Sequence, residues 1–384
     1  MKYLDAYRDL GAARSLLEQI GGAAGRPSSL LEVCGGQAHN LMRFGIDRDL
    51  PRGLELVHGP GCPVCALPAG TVDRAVAIAG RPGVIVAAPG DLLRVPGGDG
   101  RETLLAARGR GADVRAVYSP LDALALARKH PDRDVVVIAA GFETTAPAAA
   151  AAVVEAARLG LDNLSLLTAF YRMAPAVAGL LSDRDDRPDA VLASGPVCAV
   201  TGYREFEALA ERYRTPVVVT GPEPLDLLDA IARAVGQLRA GTHAVQNQYD
   251  RAVRPDGNPQ ARTAIAAAFE PADATWRGLG LIPASGLALR ERFRRFDAAA
   301  RYPDVPRPPG PPDDCPDAAI MSGRLKPLGC AAFGTRCTPE HPLGPFMVSA
   351  EGVCAAYYRY RRTPDHAPPS PALSARPASA VPGA

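Results

Sequence analysis

Between residues 28 and 240 the chain repeats one pattern. A short β-rich run ends in a Gly/Pro loop, and the loop opens into a helical segment. The strand candidates are Leu30–Val33, Leu54–Val57, Val84–Ala87, Val114–Val117, Asp134–Ala139, Leu164–Leu167, Ala190–Ala193 and Pro216–Thr220. Helices are predicted over Val72–Ala79, Pro120–Lys129, Ala148–Leu159, Tyr203–Arg212 and Pro224–Arg239. Such alternation implies parallel sheets, because parallel neighbours must be joined by crossovers, usually helical. Asp-Val-Val-Val-Ile-Ala at 134–139 is apolar without alternation, which suits a strand covered on both faces. The pattern predicts an α/β fold with two small doubly wound parallel-sheet domains facing a cleft. In such sheets ligands bind at the carboxyl ends of the strands.

The expected division is an N-terminal helix over 1–27, α/β domains over 28–150 and 151–240, a loop-rich C-terminal metal domain over 241–362, and a disordered tail over 363–384. The first helix follows from Leu4, Tyr7, Leu10, Leu17 and Ile20 near helical spacing, ending in glycines. After residue 240 the alternation breaks, and residues 303–316 are dense in Pro and Asp. The tail is rich in Pro, Ala and Ser.

Charge excludes some function classes. The 43 Lys and Arg nearly balance the 41 Asp and Glu, leaving +2. No segment gathers the basic residues into a nucleic-acid footprint. Arg290, Arg292, Arg294 and Arg295 read as a solvated helix face. No apolar run reaches the ~20 residues of a membrane span. Met1 to Leu10 lacks the apolar core of a signal peptide, so a cytoplasmic location is expected. In a reducing compartment, cysteines are more often metal ligands or catalytic thiols than structural disulfides.

The eight cysteines fall into a front group, Cys34, Cys62 and Cys65, and a rear group, Cys315, Cys330, Cys337 and Cys354, with Cys198 alone between them. Cys62 and Cys65 form a Cys-x-x-Cys directly after a strand, inside Gly59-Pro60-Gly61-Cys62-Pro63-Val64-Cys65. This spacing suits a redox-active thiol pair; the alternative is half of a metal site. Cys34 ends the first strand before Gly35-Gly36, a position for a reactive or ligating group, with His39 as a ligand or acid/base partner. The alternative is a buried packing cysteine. Gly141-Phe142-Glu143-Thr144-Thr145-Ala146-Pro147 follows the strongest strand. Its loop can present N–H groups and hydroxyls to an anion, or simply cap a helix with Thr and Pro147. The rear spacing, Cys-x14-Cys-x6-Cys-x16-Cys on Gly/Pro-rich loops, fits an iron–sulfur cluster or a structural zinc. Cys198 reads as a packing residue.

Together and in this order, these motifs resemble the HypD family of NiFe-hydrogenase maturation factors. The likeness spans roughly residues 28–360. It includes Glu32-Val33-Cys34-Gly35-Gly36, the Cys62/Cys65 loop, Gly90-Asp91-Leu92-Leu93-Arg94-Val95-Pro96-Gly97, the Gly141–Pro147 loop, Glu223-Pro224-Leu225-Asp226, Trp276-Arg277-Gly278-Leu279-Gly280 and Met347–Tyr358. The resemblance implies a scaffold for the Fe(CN)2CO unit of a hydrogenase, working with a HypC-type small chaperone whose N-terminal cysteine shares the iron. It implies a HypE-type cyanide donor, itself supplied by a HypF-type carbamoyltransferase. It makes Cys34 the iron ligand, in the cleft between the two α/β domains, and Cys62 and Cys65 a redox pair. Gly141, Glu143, Thr144 and Thr145 become cofactor-binding residues, and the rear cysteines hold a 4Fe-4S cluster.

The chain departs from the family pattern at named positions. Gln37-Ala38-His39 stands where the family has His-Thr-His, and Pro196 stands where it has a further histidine. Asp317 and Phe346 replace two family cysteines, leaving four in the rear segment. The alternatives are a divergent member with reduced activity, a stand-alone iron–sulfur thiol–disulfide oxidoreductase, and a two-lobed binding protein with a structural zinc.

Overall fold

The computed structural model describes residues 5–23, 25–98, 100, 102–183, 186–305 and 315–361. The tail and residues 306–314 of the Pro/Asp-rich stretch lie outside the described residues. Among the described residues, eleven strands form two sheets. They are β1 (Ser28–Glu32), β2 (Leu54–His58), β3 (Val84–Ala88), β4 (Asp113–Ala116), β5 (Asp134–Gly141), β6 (Leu164–Tyr171), β7 (Ala190–Ser194), β8 (Val217–Thr220), β9 (Val245–Asn247), β10 (Phe269–Trp276) and β11 (Gly280–Leu289). All eight strand candidates and all five helices predicted between residues 28 and 240 are present, with ends moved by a few residues.

The first sheet is all parallel, in the order β2-β1-β7-β8-β9. The second has the order β10-β11-β6-β5-β3-β4. Its strands β3 to β6 are parallel, but β10 and β11 form an antiparallel hairpin that also pairs antiparallel with β6. The all-parallel expectation is therefore corrected for this sheet. The hairpin escapes a sequence reading because Pro271, Gly286 and several alanines give it little strand propensity. Its solvent-facing residues also blur the pattern.

The sheets are not contiguous in sequence. β1 and β2 lie with β7 to β9, while β3 to β6 lie with β10 and β11. Residue 150 falls inside the helix Ala146–Arg158, and β9 lies beyond residue 240. Central strands are apolar on both faces, as burial between helix layers requires: β3, β7 and β8 are buried throughout. The N-terminal helix Leu10–Ala23 packs on the helix Pro224–Ala240. The arginine run follows β11 as a 3-10 turn, Glu291–Phe296; Phe293 and Phe296 are buried while Arg292, Arg294 and Arg295 face solvent. No helix among the described residues is long and apolar enough to cross a membrane.

Each sheet has one point where neighbouring strands send their connections in opposite directions. In the first sheet it lies between β1 and β7, and in the second between β3 and β5. Crevices open at such points, beyond the carboxyl ends of the strands. Cys34 follows β1, and Phe142 and Glu143 follow β5, so each motif stands at one of the two points.

The sole tryptophan ties the hairpin to the second sheet. Trp276 is buried, donates its indole N–H to Ser285 Oγ at 2.8 Å, and packs against Tyr171 and Phe142 with centroids 4.6 and 6.0 Å away. Trp276→Ala is expected to lower unfolding stability by about 3–5 kcal/mol. Urea unfolding followed by circular dichroism checks this, and an unchanged midpoint would contradict the packing.

Candidate functional site

Cys34 caps the helix Gly35–Arg43 in an extended conformation. Its main-chain N–H donates to Glu32 Oε2 at 2.9 Å. The Gly59–Gly61 loop lies flat against it: Gly35 N donates to Gly61 O and Gly59 N to Glu32 O, both at 2.8 Å. A Cβ on Gly61 would stand 2.3 Å from Cys34 N and 2.6 Å from its Cα. Only glycine permits this approach. The loop leads directly into Cys62 and Cys65, which are joined in a disulfide at a one-turn helix, Pro63–Ala66. The structure thus lays the Cys34 backbone against the loop of the Cys-x-x-Cys pair, and Cys62 and Cys65 line a narrow recess with Glu32 and Gly35, closed by Phe346, Glu351 and Val353 of the C-terminal segment. A Cβ on Gly35 would reach the Glu351 carbonyl oxygen at 2.6 Å, so that segment presses on the Cys34 loop as well.

Burial pushes the Cys34 thiol up to about 11. Hydrogen bonds from the Ser194 hydroxyl and the Gln37 main chain oppose the shift, while the Glu32 and Glu351 carboxylates add to it. Ser194 ends β7, so its contact comes from the far side of the crevice. Glu32 is buried and is also held by His58, Nδ1 to Oε1 at 2.8 Å; His58 Nε2 in turn meets the Tyr357 hydroxyl at 3.2 Å. Three buried polar residues therefore link the Cys34 backbone to the helix Val353–Arg361, which carries Cys354. Sequence reasoning passed over His58 and Tyr357. The available signal was an ionisable residue ending the apolar run of β2.

The rear cysteines fit a cluster. Cys337 and Cys354 are buried, and Cys315 and Cys330 half-buried. The Cys354 thiol is pushed well up, first by burial and then by Cys315, Cys337 and Cys330, so the sulfurs converge. Burial and Asp317 push Cys315 up to about 12. Leu343 N donates to Cys337 Sγ at 3.4 Å, and a Cβ on Gly344 would sit 2.5 Å from Cys315 Sγ. Loops bare of side chains that aim N–H groups at sulfur suit cluster ligation. Among the described residues no three His, Cys, Asp or Glu side chains close to single-ion distances.

The other predicted site residues stand apart from the recess. His39 turns toward the C-terminal segment, with Nδ1 2.9 Å from Ala350 O and Nε2 3.2 Å from the Tyr360 hydroxyl. Gln37 is buried and donates to the Ala193 and Thr220 carbonyls at 3.2 and 3.1 Å, tying the helix to the ends of β7 and β8. Pro196 is exposed in the first turn of the helix Gly195–Thr201. Cys198, in that same helix, is fully buried in the apolar core, as a packing residue should be. Gly141, Glu143, Thr144 and Thr145 belong to the second sheet's crevice. Thr145 is the N-cap of the helix Ala146–Arg158 and Pro147 lies in its first turn, while Thr144 and Thr145 are exposed. A Cβ on Gly141 would meet Thr145 Oγ1 at 2.0 Å. Glu143 is buried and accepts from Met173 N at 2.9 Å, at the start of the helix Met173–Ser182. Burial pushes its carboxyl up to about 7.

Arg277, in the turn between β10 and β11, reaches the backbone that follows the Cys-x-x-Cys pair from the second sheet. Its main-chain N–H donates to Ala66 O at 2.9 Å and its Nε–H to Leu67 O at 2.8 Å, directly after Cys65. Nη1 faces Asp317 Oδ2 at 3.7 Å, next to Cys315. A Cβ on Gly278 would meet the Ala318 backbone at 2.7 Å, so this turn is wedged between the two cysteine groups.

A family model described as "HypD: Hydrogenase formation hypA family" matches residues 11–361. The chain belongs to the HypD family. It is 43% identical over 372 residues to the hydrogenase maturation factor HypD of Rhodobacter capsulatus, covering 94% of this chain and 98% of that protein. It is 41% identical over 375 residues to hydrogenase maturation factor HypD of Escherichia coli K12, covering 94% and 99%. The similarity to HypD proteins thus runs through both sheets and the rear cysteines.

Two expected outcomes follow from this geometry. Gly61→Ala forces the loop off the Cys34 backbone and should cost about 1–3 kcal/mol, read as a lower urea midpoint. For Glu143 the unfolded chain releases its proton near the ordinary value of 4.5, whereas the folded chain holds it to about 7. The folded state therefore binds more protons between these values, and stability falls as pH rises through the window. Glu143→Gln removes the titration and should be more stable than wild type at pH 7.5 by up to about 3 kcal/mol, with the gap closing at low pH. Urea midpoints of both proteins across that range check the sign.

Proposed function

We propose that this protein is a scaffold on which the Fe(CN)2CO unit of a NiFe hydrogenase is assembled, held jointly with a HypC-type partner and supplied with cyanide by a HypE-type donor. The observation that carries the reading is one close contact: the Cys34 backbone lies against the loop of the Cys62–Cys65 disulfide, and the cysteine-bearing C-terminal segment presses on Gly35 and closes the recess beside the pair. Family membership gives the hydrogenase-maturation context.

In this reading Cys34 is the iron ligand. Its thiol holds its proton when the site is empty, because burial disfavours the bare thiolate. Iron binding replaces that proton, and the hydrogen bonds from Ser194 and Gln37 then serve the thiolate. Thiolate beside π-acceptor ligands is soft-donor chemistry that suits this iron. The Glu32–His58–Tyr357 chain fixes the Cys34 backbone, and burial keeps water from the Cys34 thiol. Cys62 and Cys65 form the redox pair: opening their bond takes up two electrons and two protons and yields two thiols. Cys315, Cys330, Cys337 and Cys354 hold a 4Fe-4S cluster, which when bound supplies one-electron chemistry beside the pair. His39 orients the C-terminal segment through Ala350 and Tyr360, and Glu143 with its loop serves the second crevice.

Anaerobic co-purification with a HypC-type partner tests the reading. Wild type should carry about four irons and sulfide in the cluster plus further iron, with infrared bands for bound CN and CO. Cys34→Ala should lose those bands and keep the cluster iron. Cys354→Ser should lose cluster iron. Infrared bands that persist in Cys34→Ala would overturn the assignment.

A further inference from the structure

Cys34 meets a side-chain donor from the neighbouring strand. β1 and β7 run parallel, with Leu30 opposite Ala190, Leu31 opposite Val191 and Glu32 opposite Leu192. Two residues further on, that register sets Cys34 beside Ser194, across the roughly 4.8 Å that separates paired strands. Ser194 is 3% exposed. It also caps the helix Gly195–Thr201, where its Oγ accepts from Val197 N at 3.4 Å. A hydroxyl has one proton to give, and the cap uses only a lone pair. The proton is left for the Cys34 sulfur, to which Ser194 donates. A second donor there is the Gln37 main-chain N–H, which any residue but proline would supply. Glu32 and Glu351, by contrast, set negative charge around the sulfur. Among these neighbours the Ser194 hydroxyl is the one side chain that draws electron density away from Cys34.

A thiolate ligand passes charge to its metal, and a hydrogen bond to the sulfur holds part of that charge back. On an iron that carries CN and CO, less donation from sulfur leaves less density to enter the antibonding orbitals of those ligands. We propose that Ser194 is a positioning residue that lowers the electron density on the Cys34-bound iron: its hydroxyl donates to the thiolate and so stiffens the CO and CN bonds. The inference rests on the reading of Cys34 as the iron ligand, and it gives that ligand a tuning partner on β7.

The test uses the full chain co-purified anaerobically with a HypC-type partner, and reads infrared bands at equal iron content. Ser194→Ala should move the CO and CN bands to lower wavenumber, beyond the scatter of repeat wild-type preparations. Ser194→Thr keeps the hydroxyl and should hold the bands at their wild-type positions. A lower urea midpoint in the Ala variant with unmoved bands shows a helix cap and nothing more, and overturns the inference. Bands that move upward in the Ala variant, or equally in the Ala and Thr variants, overturn it too. If the Ala variant does not retain the iron unit, Ser194→Cys, a weaker donor, takes its place, and its bands should lie below those of the Thr variant. Wild type without CN and CO bands, or Cys34→Ala that keeps them, overturns the ligand reading itself and this inference with it.

Discussion

The organisation of the molecule depends on one close approach of main chain to main chain. The Gly59–Gly61 loop lies on the backbone of Cys34 with no room for a Cβ at Gly61. That contact turns two separate sequence motifs into one site. It also fixes the direction in which Cys62 and Cys65 leave β2. The C-terminal segment can then close the recess only by meeting Gly35, again with no room for a side chain. Three layers of backbone are stacked there, and side chains enter only from the edges.

The buried polar residues around the stack follow from this crowding. Main-chain N–H groups taken from water need acceptors. Glu32 supplies one for Cys34, His58 satisfies the carboxylate, and Tyr357 meets the other nitrogen of His58. Removing one member strands the others in a dry site, so the set behaves as a unit. A structural brace and a chemical environment for Cys34 are thus the same set of atoms.

The strands were legible in the sequence because their apolar runs are local. Asp134–Gly141 and Ala190–Ser194 announce themselves as Val/Ile/Leu/Ala stretches between Gly, Pro and Asp. Their distribution between sheets was not legible, because pairings such as Leu30 with Ala190 join distant segments. The hairpin β10–β11 was missed for want of strand propensity. At the site, Cys34, Cys62, Cys65 and the rear cysteines could be singled out because thiols at such spacings are uncommon. His39 is close to Cys34 in sequence, yet the helix Gly35–Arg43 carries it round to Ala350 and Tyr360. Arg277 and Tyr357 reach the site only through tertiary packing, and nothing in their neighbours in sequence says so.

The pairing of β1 with β7 bears on how the protein is born. At the ribosome, β1 and β2 emerge early, yet the central partner of β1 is Ala190–Ser194. Until that segment appears, β1 presents an unpaired edge, and the Ser194 hydroxyl is missing from Cys34. The second sheet waits in the same way for β10 and β11. Neither sheet is complete until strands far along the chain have been made, so closing each sheet waits on long-range pairing. A nascent chain therefore makes Cys34 long before the strand that supplies its Ser194 neighbour, so the surroundings of an early residue are completed by a late one.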